Sequence, residues 1–140
     1  MSSKFIVFFT VIVSSINLVL LQQLKIRSQF KPSDFVYNLN STNPFTVGPG
    51  GVIKAMNIDT FPPSAGQGVA MVLITFEPCG INLPHVHQRA TEILYVIKGT
   101  FKVAFTEENG GRTIVNILKA GQSTIFPQGL MHEQVNLLFR

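Results

Sequence analysis

Histidine is scarce in this chain: His85, His87 and His132 are the whole complement. Two of them form His85-Val86-His87, and in an extended segment residues i and i+2 project to one side, so both imidazoles point together. Glu92 follows five residues after His87, at the head of an apolar run that ends at Ile97. Its carboxylate joins the imidazoles if the chain keeps its face through the short connection. His132 comes after Pro127-Gln128-Gly129, a turn suited to bringing it back beside the pair. Three neutral imidazoles and one carboxylate bind a divalent first-row metal without any thiolate. Such a set fills four positions of an octahedron and leaves two for water, a dioxygen species or a bidentate anion. Manganese or iron suits it better than zinc, which closes a tetrahedron or keeps an open site with three protein ligands. A lone His-x-His is more often a surface pair than a ligand pair, and the wider spacing is what weighs the other way.

Short strands must position these groups. Val69 to Phe76 reads as a continuous apolar strand buried on both faces or in a sandwich core, and Glu92 to Ile97 as another strand. Thr100 to Phe105 alternates, with Phe101, Val103 and Phe105 on one face. The Asn-Gly pair in Glu108-Asn109-Gly110-Gly111 predicts a hairpin turn leading into Thr113 to Leu118. Ala120-Gly121 turns the chain again into Ser123 to Phe126. Ahead of this β region, residues 23–51 are polar and rich in Pro and Gly, an extended arm with a strand piece at Phe35 to Leu39. No amphipathic helix and no internal repeat follows the leader described next. Many short strands with Gly and Pro turns predict an all-β sandwich or small barrel over residues 52–140.

With 140 residues the chain is sized for one domain, and 46% hydrophobic against 13% charged residues excludes a disordered tail. Eleven Lys and Arg against seven Asp and Glu give a net charge of +4, but no three basic residues are consecutive. A nucleic-acid partner is therefore not expected. One cysteine excludes an intrachain disulfide. Residues 1–22 carry Lys4, the apolar run Phe5 to Val13 and then Ser14-Ser15, the pattern of a secretory signal peptide. An uncleaved signal anchor is the alternative, and membrane association is expected only in that case. Asn40-Ser41-Thr42 is a glycosylation sequon, in keeping with secretion.

The two histidine stretches, taken whole, resemble the paired motifs of the cupin superfamily, most closely its germin-like and spherulin-like branch. Pro78 to Ile93, with His85, His87 and Glu92 and then Gly99, is similar to the first motif; its Arg89-Ala90-Thr91-Glu92 run is especially germin-like. Gly121 to Asn136, with Pro127, Gly129 and His132, is similar to the second. The resemblance runs from about Pro49 to Asn136. It implies a double-stranded β-helix, or jelly-roll barrel, with His85, His87, Glu92 and His132 as metal ligands. Manganese is the implied ion, with Fe2+ or another divalent first-row metal as the alternative.

It also implies a secreted protein, apoplastic or in the cell wall if from a plant, that forms homo-oligomers. The activity it suggests is that of a superoxide dismutase acting on a small reactive-oxygen substrate. A non-catalytic storage or matrix protein and a metal-dependent oxidase are the alternatives. Four departures stand out. Cys79 replaces the first motif's glycine, so a left-handed backbone there would be strained; its thiol is expected to be buried and inert rather than a ligand. The cysteine pair usual near the germin N-terminus is absent. Asn82 matches one of two asparagines shared by oxalate-oxidising germins, while Val72 stands at the other, which disfavours oxalate oxidation because valine donates no hydrogen bond. The chain stops at Arg140, four residues past Asn136, so the barrel is expected to be incomplete at its C-terminus.

Overall fold

A computed structural model describes residues 20–138. The leader expected at 1–22 lies outside them except for residues 20–22, the start of a helical stretch described over 20–27. Among the described residues no helix is long and apolar enough to cross a membrane. Two compact units are present, one of residues up to Asn43 with Ala55–Val72, the other of Pro44–Lys54 with the residues from Leu73 onward.

In the first unit, Pro32–Phe35 is a 3-10 turn and residues 36–39 form no strand, which corrects the strand piece expected at Phe35 to Leu39. Pro32 fixes the first turn, and the Asp34 carboxylate accepts the Lys31 N–H at 2.8 Å, so local bonds curl the chain. The Tyr37 hydroxyl donates to the Ala55 carbonyl at 2.9 Å, and its ring meets Phe61 edge-on.

The strands are β1 (Thr46–Gly48), β2 (Gly51–Met56), β3 (Met71–Phe76), β4 (Ile81–His85), β5 (Glu92–Tyr95), β6 (Thr100–Thr106), β7 (Thr113–Lys119), β8 (Ser123–Phe126) and β9 (Met131–Asn136). They form sheets ordered β1-β2-β3, β4-β9-β6-β7 and β5-β8. The expected all-β architecture is the one observed. β3 lies at the edge of its sheet, and Met71 and Val72 are about half exposed, so this apolar run is not buried on both faces.

β6 buries the face its alternation predicts, and Ala104 on the opposite face is buried as well. Val103 is buried in a core with Val96, Leu118 and Phe126, and Phe101, Phe105 and Leu94 pack against that core. The hairpin between β6 and β7 turns through Asn109 and Gly110, both at positive φ (55° and 74°). Asn and Gly tolerate that region. The turns expected at Gly99 and Gly121 are present, with φ of 100° and 87°.

Candidate metal centre

The β4–β9 ladder pairs His85 with His132 and Asn82 with Gln134. On β9 the buried positions alternate, so His132, Gln134 and Asn136 all face inward. Between Asn82 and His85 the register shifts, and Pro84, which has no N–H to give the ladder, lies within that irregularity. β4 then ends at His85, so His87 is not on a strand as the i, i+2 argument supposed. It sits on the connection 86–91, and its ring nevertheless converges, with its centroid 5.1 Å from that of His85 and 5.2 Å from that of His132. Glu92 opens β5 and pairs with Phe126 on β8. Gly129, at φ 82°, shapes the turn that delivers His132.

One donor atom from each of His85, His87, Glu92 and His132 lies within 4.8 Å of every other. Nδ1 of His85 donates to the Leu83 carbonyl at 2.8 Å and Nδ1 of His132 to the Leu130 carbonyl at 2.9 Å. A carbonyl can only accept, so both rings carry a proton on Nδ1 and turn Nε2 to the centre. Glu92 Oε2 lies 2.8 Å from His87 Nε2 and 3.4 Å from His132 Nε2. The His132 nitrogen is sealed from solvent and makes no hydrogen bond. Nε2 of His132 thus faces the Glu92 carboxylate with no hydrogen bond between them. A cation resolves that opposition, and a nitrogen- and carboxylate-bearing donor set suits a divalent first-row metal.

The centre is closed on one side and open on the other. His132 is 2% exposed, and Phe126, 1% exposed, stacks on its ring at 4.4 Å and 11°. The His87 side chain is 49% exposed. Of the other aromatic and aliphatic residues near the motifs, Phe101 and Leu94 pack on the core, and Phe76 meets Phe101 edge-on at 5.0 Å.

Asn82 donates through Nδ2 to Gln134 Oε1 at 2.8 Å, one register pair along from the two histidines. Gln134, fully buried and with Nε2 unpaired, is not marked by the motifs. Its signal is its place two residues after His132, on the same strand face. Asn136 is buried, donates to the Glu77 carbonyl at 3.0 Å and accepts the Leu138 N–H at 3.1 Å. It ties the chain after β9 to the turn before β4.

Cys79 occupies that turn in the left-handed region, φ 59°, and is exposed, which corrects the buried cysteine expected from residue type. Its thiol donates toward the Leu138 carbonyl at 3.6 Å and is not among the four donors. Asn40 lies in the first unit, its N–H on Asn38 Oδ1 at 3.0 Å.

The profile of the Cupin family matches residues 37–137. Spherulin-1A of Physarum polycephalum is 43% identical over 108 residues, covering 76% of this chain and 44% of that protein. A probable germin-like protein, subfamily 2 member 5, of Arabidopsis thaliana is 36% identical over 114 residues, covering 79% and 52%. A solved oxalate oxidase in complex with glycolate superposes with a TM-score of 0.69 at 30% identity, covering 78% of this chain and 55% of that one. The chain spans about half the length of the curated relatives it matches.

Proposed function

The chain belongs to the cupin family, and from that premise we propose that it is a secreted germin-like protein whose His85, His87, Glu92 and His132 hold manganese and disproportionate superoxide. The observation that carries the proposal is the buried, unpaired Nε2 of His132 facing the Glu92 carboxylate. That arrangement is poor for the apoprotein and good for a bound cation.

When bound, manganese supplies one-electron redox chemistry, so that one superoxide is oxidised to dioxygen while a second, with two protons, is reduced to hydrogen peroxide. The residues set the conditions for it. The Leu83 and Leu130 carbonyls fix the tautomers of His85 and His132 and aim Nε2 inward. The Glu92 carboxylate offsets part of the cation's charge. Phe126 excludes water behind His132, leaving the half-exposed His87 side for a small anion to enter. Asn82, held by Gln134, is the neighbouring donor suited to orient such an anion. Oxalate oxidation is disfavoured because the position of the second asparagine is Val72.

A storage or matrix protein that keeps the metal only for stability is the second reading, favoured by the fact that metal binding to the folded state stabilises it whether or not turnover follows. Metal analysis of the purified secreted chain, followed by a superoxide assay with and without His87→Ala, decides. Manganese with activity lost in the variant supports the proposal. Manganese without activity leaves the storage reading, and a chain that holds no first-row metal sinks both.

A further inference from the structure

We infer that Gln128 and Thr91 form a clasp that positions His87 for the metal; the inference rests on the metal reading above. Three of the four donors ride on paired strands: His85 on β4, Glu92 on β5 and His132 on β9. Their backbones are fixed by ladder bonds. His87 has no such support, because β4 ends two residues earlier and the chain crosses to β5 through residues 86–91. Its side chain is half exposed, and its ring meets Glu92 Oε2 at Nε2, 2.8 Å away.

The crossing is tied down from a single place, the turn that delivers His132. The Gly129 N–H donates to the His87 carbonyl at 3.0 Å. Gln128 reaches the same crossing twice: Nε2 donates to the Gln88 carbonyl at 2.8 Å, and the backbone N–H donates to Thr91 Oγ1 at 3.3 Å. These bonds bracket His87 on one side and Glu92 on the other. One turn therefore sets the spacing of three donors at once, and Gln128 and Thr91 act on the metal only through His87 and Glu92. They are positioning residues.

The test uses the full chain. Thr91→Val keeps the shape and removes the acceptor, Thr91→Ser keeps the acceptor, and Gln128→Glu replaces the donor with a carboxylate against the Gln88 carbonyl. Manganese dissociation constants and the electron paramagnetic resonance spectrum of the bound ion are read for each. Each lost bond is worth roughly 2- to 13-fold, and outer partners of metal ligands about 10- to 100-fold. Thr91→Val and Gln128→Glu are therefore expected to weaken manganese binding about tenfold and to alter the spectrum. Thr91→Ser is expected to match the wild type in both.

Circular dichroism and urea midpoints of the metal-free variants close to wild type place the effect at the centre rather than in the fold. Unchanged affinity and spectrum in Thr91→Val and Gln128→Glu overturn the clasp while leaving the metal reading intact, and so does a Thr91→Ser chain as weak as Thr91→Val. A wild-type chain that takes up no manganese overturns the metal reading itself, and the clasp with it.

Discussion

The ring of Phe126 lies nearly parallel on the imidazole of His132, with centroids 4.4 Å apart and planes inclined by 11°. Phe126 also belongs to the core formed with Val96, Val103 and Leu118. Core and centre thus share a wall, and a change at Phe126 is felt by both.

Phe126→Ala removes a ring that is 1% exposed. Truncating a buried phenylalanine costs about 3–5 kcal/mol. Urea unfolding of the metal-free chain is expected to show a loss of that size. Manganese affinity is expected to fall as well, since His132 loses the surface that holds its plane. A loss of stability with unchanged affinity would show that the Leu130 carbonyl alone orients the ring.

Manganese is expected to stabilise the folded chain by mass action, about 2.7 kcal/mol at a free concentration 100 times the dissociation constant. A chelator is expected to reverse the effect, and His132→Ala to abolish it. The same rise in the variant as in the wild type would place the bound ion elsewhere.

Cys79 occupies the left-handed region at φ 59°. A side chain there costs about 1–2 kcal/mol, whereas glycine gives back about 0.4–1 kcal/mol through the freer unfolded chain. Cys79→Gly is therefore expected to raise stability by up to about 1.6 kcal/mol. Cys79→Ala, which keeps the Cβ, is not expected to gain. Equal urea midpoints for both variants would mean that the turn relaxes around the side chain.

Expression through a eukaryotic secretory pathway is expected to yield a chain that runs heavy on gels and shifts down with an endoglycosidase. Asn40→Gln is expected to run at the lower position without treatment. Asn40 is exposed and sits in a turn where the Ser41 and Thr42 hydroxyls donate to the Asn38 carbonyl at 3.2 and 2.9 Å. Retention of the untreated wild type inside the cell would count against the leader as a secretion signal.

The four donors were legible because metal chemistry restricts residue type, and because His85, His87, Glu92 and His132 are spaced in two compact stretches. β8 was legible for a similar reason: Ser123 to Phe126 is bounded by Gly121 and Pro127, and the strand has those bounds. What could not be read is what joins distant segments. Gln134 meets Asn82 across 52 residues of sequence, and Gln128 meets Gln88 across 40. Local pattern carries no record of such pairings, which the sheet register sets. Periodicity puts His87 on a strand because it cannot foresee the irregularity around Pro84. β3 is less buried than its composition suggests, because an apolar run does not reveal that its strand lies at an edge.

Glu92→Gln separates what the folded chain needs from what the metal needs. Glu92 Oε2 lies 2.8 Å from His87 Nε2 and 3.4 Å from His132 Nε2, which makes no hydrogen bond. An amide at that position presents two N–H bonds in place of a charged acceptor. One reaches His132 Nε2, whose tautomer is fixed by the Leu130 carbonyl, and the other reaches His87, whose half-exposed ring is free to carry its proton on Nδ1. The metal-free variant is therefore expected to gain about 0.5–1.5 kcal/mol in urea unfolding, the net worth of one buried hydrogen bond. The same change removes the anionic ligand, and manganese affinity is expected to fall by more than about 100-fold, beyond the range lost when only outer partners are removed. Stability and affinity then move in opposite directions, as they do where a site keeps strain for function. A variant that loses both would show that the Glu92 carboxylate stabilises the metal-free chain through its contacts with His87 and His132, and that His132 Nε2 is not the group awaiting a cation.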